Sequence, residues 1–223
     1  MAIANSKLAV FDFDHTITSI DTSAGFFIWL IRRNIGKLAI VLLALPLLGP
    51  LLLVRKTQKI PLRFGAWIAT FWVSNQELQP LARTHVEYMH GKGYKFVRTD
   101  ALAQINLHIE QGNLVVIATG SLEVLAIEIL LAEGLAEVKV VGSTVRQFLG
   151  GIIVKAQCFG DRKIPMLQAR GFSAPFAFAY SDHEADLPLL ISAEQRYIVN
   201  PKRRSAEILS AELRESGVVL KWN

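Results

Sequence analysis

The sequence predicts an α/β protein, a parallel sheet with helices on both faces and a helical segment inserted after the first strand. Three observations carry this. Short apolar runs at 8–12, 114–118, 138–141, 176–180 and 196–199 alternate with segments of helical period, the pattern of a parallel sheet built from strand–helix units. Several of these runs end directly in polar residues, as expected where buried strands deliver side chains from their carboxyl ends. Between the first run and the second lies a long insertion, about 19–94, that is mostly helical in pattern and unlike the rest in charge.

The elements follow in order. Leu8-Ala9-Val10-Phe11 reads as a strand that runs into Asp12, and Asp12 and Asp14 are spaced i, i+2, so on extended backbone they share a face. Residues 96–111 read as a helix, and 114–118 as the second strand. That strand leads through Thr119-Gly120-Ser121 into a helix over 122–133. Residues 138–141 give a third strand, followed by a hairpin over 144–156 centred on Gly150-Gly151. Lys163, after Cys158-Phe159-Gly160-Asp161, stands near the start of another helix. The run 176–180 is a fourth strand that ends in Ser181-Asp182-His183-Glu184-Ala185-Asp186. Residues 196–199 form a fifth, and 202–215 the last helix. The expected organisation is a Rossmann-like core of residues 1–18 and 95–223 with an α-helical cap at 19–94.

Taken singly, Asp12 and Asp14 read as a solvated loop, Thr119 as a helix cap, Lys163 as a surface cation and Asp182 as a turn residue. In this order and at these strand and helix ends they converge on one site. The segments Asp12-Phe13-Asp14-His15-Thr16, Thr119-Gly120-Ser121, Lys163 and Ser181-Asp182-His183-Glu184-Ala185-Asp186 resemble the four motifs of the haloacid dehalogenase superfamily of aspartyl-phosphate enzymes, over nearly the whole chain. The resemblance implies Asp12 as nucleophile and Asp14 as general acid and base. It implies Thr119, Gly120 and Lys163 as the phosphate cradle, and Asp182 with Asp12 and the backbone carbonyl of Asp14 as holders of Mg²⁺, with Asp186 as a supporting carboxylate. Two residues depart from the usual pattern: His15 stands where the family usually has Gly, and His183 where it usually has Ser.

With 223 residues the chain has room for one catalytic core and a small inserted domain. About half the residues are apolar and mean hydropathy is +0.35, which excludes a disordered chain. The single Cys158 excludes an internal disulfide and suits a reducing compartment. No signal peptide is expected, since Asp12 interrupts the first apolar run too early.

Residues 22–76 contain no Asp or Glu, while Arg32, Arg33, Lys37, Arg55, Lys56, Lys59 and Arg63 are all basic. Between the basic clusters, residues 38–54 run for seventeen positions without a charge. Trp29, Trp67 and Trp72 flank that run, and the expected partner is an anionic membrane surface rather than nucleic acid, with Trp29, Arg32, Arg33, Arg55 and Lys56 facing it. The other reading of 38–54 is the buried helix of an all-α cap, which would make the protein cytoplasmic. A single crossing is excluded, because Asp12 lies before the run while Thr119, Lys163 and Asp182 lie after it. The expectation is therefore a peripheral or re-entrant segment on the cytoplasmic face of the inner membrane, two short helices meeting at a bend over Pro46, Gly49 and Pro50.

Within the superfamily the chain looks most like the phosphatidylglycerophosphatase C type, on Trp29-Leu30-Ile31-Arg32-Arg33, residues 38–54, Thr119-Gly120-Ser121 and Tyr180-Ser181-Asp182. That resemblance implies a phospholipid phosphomonoester as substrate and phosphatidylglycerol as product. A soluble phosphomonoesterase of the phosphoserine phosphatase type, a phosphotransferase to another alcohol and a noncatalytic membrane-bound binding protein stand as alternatives.

Overall fold

The structure is a computed structural model, and it describes residues 7–54, 57 and 59–223. Its strands are β1 (Leu8–Phe11), β2 (Leu114–Leu122), β3 (Lys139–Phe148), β4 (Gly151–Ala156), β5 (Phe176–Ser181), β6 (Ala193–Val199) and β7 (Gly217–Leu220). They form one sheet in the order β4-β3-β2-β1-β5-β6-β7, and every neighbouring pair is parallel except β3 with β4. The α/β architecture expected from the alternation is the one observed.

Burial on both faces explains why the central strands are continuous apolar runs. Phe11, Ile117 and Tyr180 point into one core, whereas Val10, Val116 and Ala179 point into the other. β1 lies between β2 and β5, with Phe11 opposite Ile117 on one side and Tyr180 on the other.

The structure differs from the expected elements at three places in the sheet. β2 continues to Leu122, through Thr119-Gly120-Ser121, with a register break between Thr119 and Leu122. Pairing with β3 thus overrides the local helix-start signal, a case of tertiary context deciding strand extent. β3 runs unbroken from Lys139 into the hairpin. β7 was not expected from the sequence; it is a four-residue edge strand whose Val218 and Val219 are about half exposed, held by its ladder with β6.

Between β1 and the sheet's next strand lie α1 (Thr22–Arg32), α2 (Ile35–Leu52), α3 (Lys59–Ala69), α4 (Leu78–Gly91) and α5 (Thr99–Glu110). Asp21 caps α1 by accepting the Ala24 N–H at 2.8 Å, and Asn34 caps α2 by accepting the Lys37 N–H at 3.1 Å. The two ends of the insertion are tied together by a bridge between Thr18 and Val97 and by the Arg98 N–H donating to the Ile17 carbonyl at 2.9 Å.

α2 corrects the expected bend. It is one helix that passes through Pro46 and Pro50, and the chain reverses after Leu52, so that α3 returns antiparallel with Pro61–Gly65 beside Leu45–Leu52. The two prolines lie four residues apart and remove only two hydrogen bonds from the same side of the helix, those to the Leu42 and Pro46 carbonyls. Nor is α2 a buried cap helix: Lys37 is its only buried residue, and Leu43 and Leu47 are 82% and 80% exposed.

Trp29 is also corrected. Expected to face lipid, it is buried on the inner face of α1 between Phe26 and His85, with the Arg33 guanidinium 4.5 Å above its ring. A large aromatic on the packed face of an amphipathic helix gains more from core contact than from an interface. Arg32 and Arg33 are exposed, whereas Arg55 and Lys56 lie outside the described residues. Trp72 is the open one of the flanking tryptophans, at 78% exposure.

The β3–β4 hairpin clamps the inserted helices to the sheet. Trp67 Nε1 donates to the Phe148 carbonyl at 2.8 Å, the Trp72 N–H to the Gly150 carbonyl at 2.6 Å, and the Ile152 N–H to Thr70 Oγ1 at 3.0 Å. Gly151 permits this approach, since a Cβ there would stand 2.6 Å from the Trp67 carbonyl oxygen. Gly151→Ala is therefore expected to destabilise the protein by about 1–3 kcal/mol through overpacking, read as a lower denaturation midpoint with an unchanged slope.

Candidate active site

β1, β2 and β5 end side by side, which brings the residues after them to one edge of the sheet. The Asp12 N–H donates to the Tyr180 carbonyl at 2.8 Å, so Asp12 still follows the sheet while its side chain leaves the strand tip. After α6 (Glu123–Ala132), the next helix is α7 (Lys163–Ala169), which Lys163 begins directly after the tight turn Gly160–Arg162. Its Nζ donates to Asp12 Oδ1 at 2.5 Å and to Asp186 Oδ2 at 2.6 Å, and the side chain is 1% exposed. Ser181 Oγ donates to the same Asp186 oxygen at 2.7 Å.

The structure brings Asp12, Asp182, Asp186 and Lys163 into one buried cluster. Thr16 links two of them: its hydroxyl donates to Asp12 Oδ2 at 2.7 Å and accepts the Asp182 N–H at 3.1 Å. Asp14 sits beside the cluster with both oxygens engaged. Oδ1 accepts the Thr22 N–H and the Thr22 hydroxyl, each at 2.8 Å, and Oδ2 accepts the Ser121 hydroxyl at 2.6 Å. Thr119 is buried, with Oγ1 accepting the Ser121 N–H at 3.0 Å, and the Gly120 carbonyl accepts the Ser143 hydroxyl at 2.7 Å.

Burial shapes the electrostatics. It pushes the Asp14 carboxyl up to about 6 against the pull of the Ser121 and Thr22 donors. It pushes Asp182 up to about 7, reinforced by the charges of Asp12 and Asp186, and raises Asp186 as well. For Lys163, burial alone would lower the pKa, but the two adjoining carboxylates outweigh it and hold the ammonium. Two carboxylates flank the one ammonium and a third, Asp182, is held beside them through Thr16, and Asp186 Oδ1 is buried with no hydrogen-bond partner among the described residues. This excess of buried oxygen charge fits a hard divalent cation.

The two departures from the family pattern have structural accounts. His15 adopts φ +63°, the left-handed region that favours Gly and that His enters more readily than most residues. His183 Nδ1 accepts the Ala185 N–H at 3.0 Å, so the ring shapes the turn that carries Asp186. Sequence reasoning missed Thr16, Thr22, Ser121 and Ser181 as partners of the carboxylates. Three lie inside the quoted motifs, and Thr22 gave no signal beyond its place at a helix start.

Residues 9–190 match the haloacid dehalogenase-like hydrolase family. The chain belongs to that family. As a member it is a hydrolase, as the motif order implied. Three solved structures share its fold. One is a protein with unknown function from Bordetella pertussis Tohama I, 21% identical, covering 97% of this chain and 99% of that one at a TM-score of 0.69. A second is phosphoserine phosphatase in apo form, 14% identical, covering 96% and 94% at 0.57. The third is described as a phospho-aspartyl intermediate analogue of phosphoserine phosphatase, 15% identical, covering 96% and 93% at 0.51.

Two outcomes are expected for this hydrolase. Thr22→Val keeps the backbone donor to Asp14 but loses the hydroxyl, and loss of one hydrogen bond to a charged group should lower kcat by roughly tenfold to a hundredfold; Thr22→Ser should restore it in steady-state assays. Folded Asp14 and Asp182 hold protons to higher pH than in the unfolded chain, so the metal-free protein should lose stability as pH rises from about 4 to about 7. A divalent cation held by the Asp182 carboxylate would compete with the proton on that group. The gain in Tm from Mg²⁺ should be larger near about pH 8 than near about pH 5.

Proposed function

We propose that the protein is a Mg²⁺-dependent lipid phosphate phosphatase that works through a phosphoaspartate at Asp12, with phosphatidylglycerophosphate to phosphatidylglycerol as its reaction. The observation that carries the lipid reading is α2. It is an 18-residue helix of mean hydropathy 2.2 with one residue in eighteen buried, and contiguous apolar surface of that kind is not left to water in a soluble monomer. Every charge in residues 22–76 is basic, which suits anionic headgroups at roughly 1 kcal/mol per residue near the surface. Because the segments of the site lie before and after α2, the helix hairpin docks from one side, on the cytoplasmic face of the inner membrane.

In the first step the Asp12 carboxylate attacks phosphorus, the bond to the leaving oxygen breaks, and the Asp14 carboxyl passes its proton to that oxygen. In the second step Asp14 takes a proton from water, the water oxygen attacks phosphorus, and the acyl-phosphate bond breaks to free phosphate and Asp12. A carboxyl held near 6 serves as acid and then as base close to neutral pH. Lys163 keeps its charge throughout and offsets that of Asp12. The Thr119 hydroxyl and Gly120 backbone contact the phosphoryl oxygens. Mg²⁺ held by Asp12, Asp182 and the Asp14 carbonyl would screen the repulsion between carboxylate and phosphoryl oxygens. The solved phospho-aspartyl intermediate analogue of phosphoserine phosphatase, which shares this fold, supports the covalent route.

Likeness in fold to phosphoserine phosphatase over 96% of the chain favours a second reading, a soluble phosphomonoesterase. Phosphate release from lipid phosphate in anionic vesicles, set beside release from phosphoserine, separates the two. The lipid reading expects a kcat/KM at least about tenfold higher on the lipid, together with sedimentation with vesicles. Faster turnover of phosphoserine with no vesicle binding would establish the soluble enzyme. Asp12→Asn should abolish release from both substrates, because the amide keeps the shape but not the nucleophile; it should still fold, with a lowered melting temperature, because Lys163 loses one of its two carboxylate partners.

A further inference from the structure

We infer that the open groove between α2 and α3, at the end where α1 joins α2, holds an acyl chain of the substrate, and that α1 sets the distance from that chain to the phosphoryl site. The inference deepens the lipid reading and rests on it. The groove has a volume of about 360 Å³ and is lined by Lys37, Ile40, Phe64, Trp67, Phe71 and Trp72. Ile40 and Trp72 are 47% and 78% exposed at its walls. Size and lining suit a flexible hydrocarbon chain, which gains free energy roughly in proportion to the methylenes it buries.

Charge identifies the amphiphile as anionic. Lys37 is 9% exposed, and its Nζ makes one hydrogen bond among the described residues, to the Ala69 carbonyl at 2.8 Å. An ammonium has three donors, so two remain for a ligand. Arg32 and Arg33 are exposed at the end of α1 that meets this groove, and no carboxylate occurs in residues 22–76. An apolar groove with a basic mouth fits a chain attached to an anionic headgroup.

α1 connects the groove to the chemistry. Its first residue, Thr22, holds Asp14, and its last turn leads directly to Asn34, the cap of α2 beside the groove. Eleven residues at 1.5 Å per residue give about 16 Å. That spacing leaves room for a polar headgroup between phosphoryl group and chain.

The test uses the full-length protein and water-soluble phosphomonoesters carrying a single short alkyl chain behind a polar spacer, below the concentration at which they aggregate, so that no bilayer is present. Wild type should gain roughly fourfold in kcat/KM for each added methylene that the groove buries. Ile40→Trp, which fills the groove, should flatten that dependence. It should leave hydrolysis of a small aryl phosphate unchanged. Trp72→Ala, at an exposed wall, should weaken the dependence without loss of folding, checked by melting temperature. If wild type hydrolyses lipid phosphate in vesicles but shows no chain-length dependence on monomeric substrates, the groove assignment is overturned and the lipid reading stands. If no lipid phosphate is hydrolysed, both fall. A wild-type dimer in light scattering that Ile40→Trp dissociates would give the groove to a second copy of the chain, and would also overturn the inference.

Discussion

The Lys163 ammonium stands between Asp12 and Asp186, 2.5 and 2.6 Å from their oxygens, in a setting that is almost dry. Burial raises the Asp186 carboxyl, and the ammonium keeps its charge there because the two carboxylates outweigh the pull of burial. At such distances, and at the effective dielectric near a protein surface, opposite charges attract by about 4 kcal/mol or more. Removing one member of a buried set leaves the others uncompensated, at a cost of about 3–5 kcal/mol. The three residues come from the end of β1, the start of α7 and the turn after β5, and Lys163 is 151 residues from Asp12. The charge balance therefore depends on the sheet order that sets β1 beside β5, and a sheet in that order has a site at its edge.

Much of this was legible in the sequence because parallel sheets place chemistry at strand ends. Asp12 and Asp182 follow apolar runs too short and too pure to be anything but buried strands, so their convergence could be argued before any coordinates. Lys163 was legible only through its order among the motifs, since a lone lysine near a helix start has no signature of its own. The hydroxyls of Thr16, Thr22 and Ser121 were not legible. Ser and Thr are common at turns and helix starts, and only the fold shows which carboxylate each one meets. β7 escaped because it is stabilised by its ladder with β6 rather than by local preference. The expected bend at Pro46 and Pro50 failed for the opposite reason: proline's local penalty was read as decisive, yet two prolines four residues apart leave most of the helix ladder intact. The interface expected for Trp29 follows from its place beside the apolar run 38–54, whereas Phe26 and His85 supply a core for it.

Several contacts join the inserted helices to the core, among them Gln79 and Arg83 on Glu128 and the Leu122 N–H on Ser23 Oγ. α1 begins on Asp14, and the β3–β4 hairpin grips α3 through Trp67, Thr70 and Trp72. β3 in turn pairs with β2, which carries Thr119 and Ser121. Apolar surface on α2 is thus held at a set distance from the carboxylates by packed elements rather than by a tether. In the lipid reading this matters because a phosphate on a lipid stays at the interface, and an enzyme that acts on it gains by presenting its site at a matching height.

Trapping the covalent intermediate tests the central claim most directly. Wild-type protein mixed with vesicles containing lipid phosphate labelled in its terminal phosphoryl group, then quenched in acid within one turnover, should carry the label on the peptide that contains Asp12. Hydroxylamine should release it, as expected of an acyl phosphate. Label on a different residue, or phosphate release from the lipid with no label ever attached to the protein, would contradict the account.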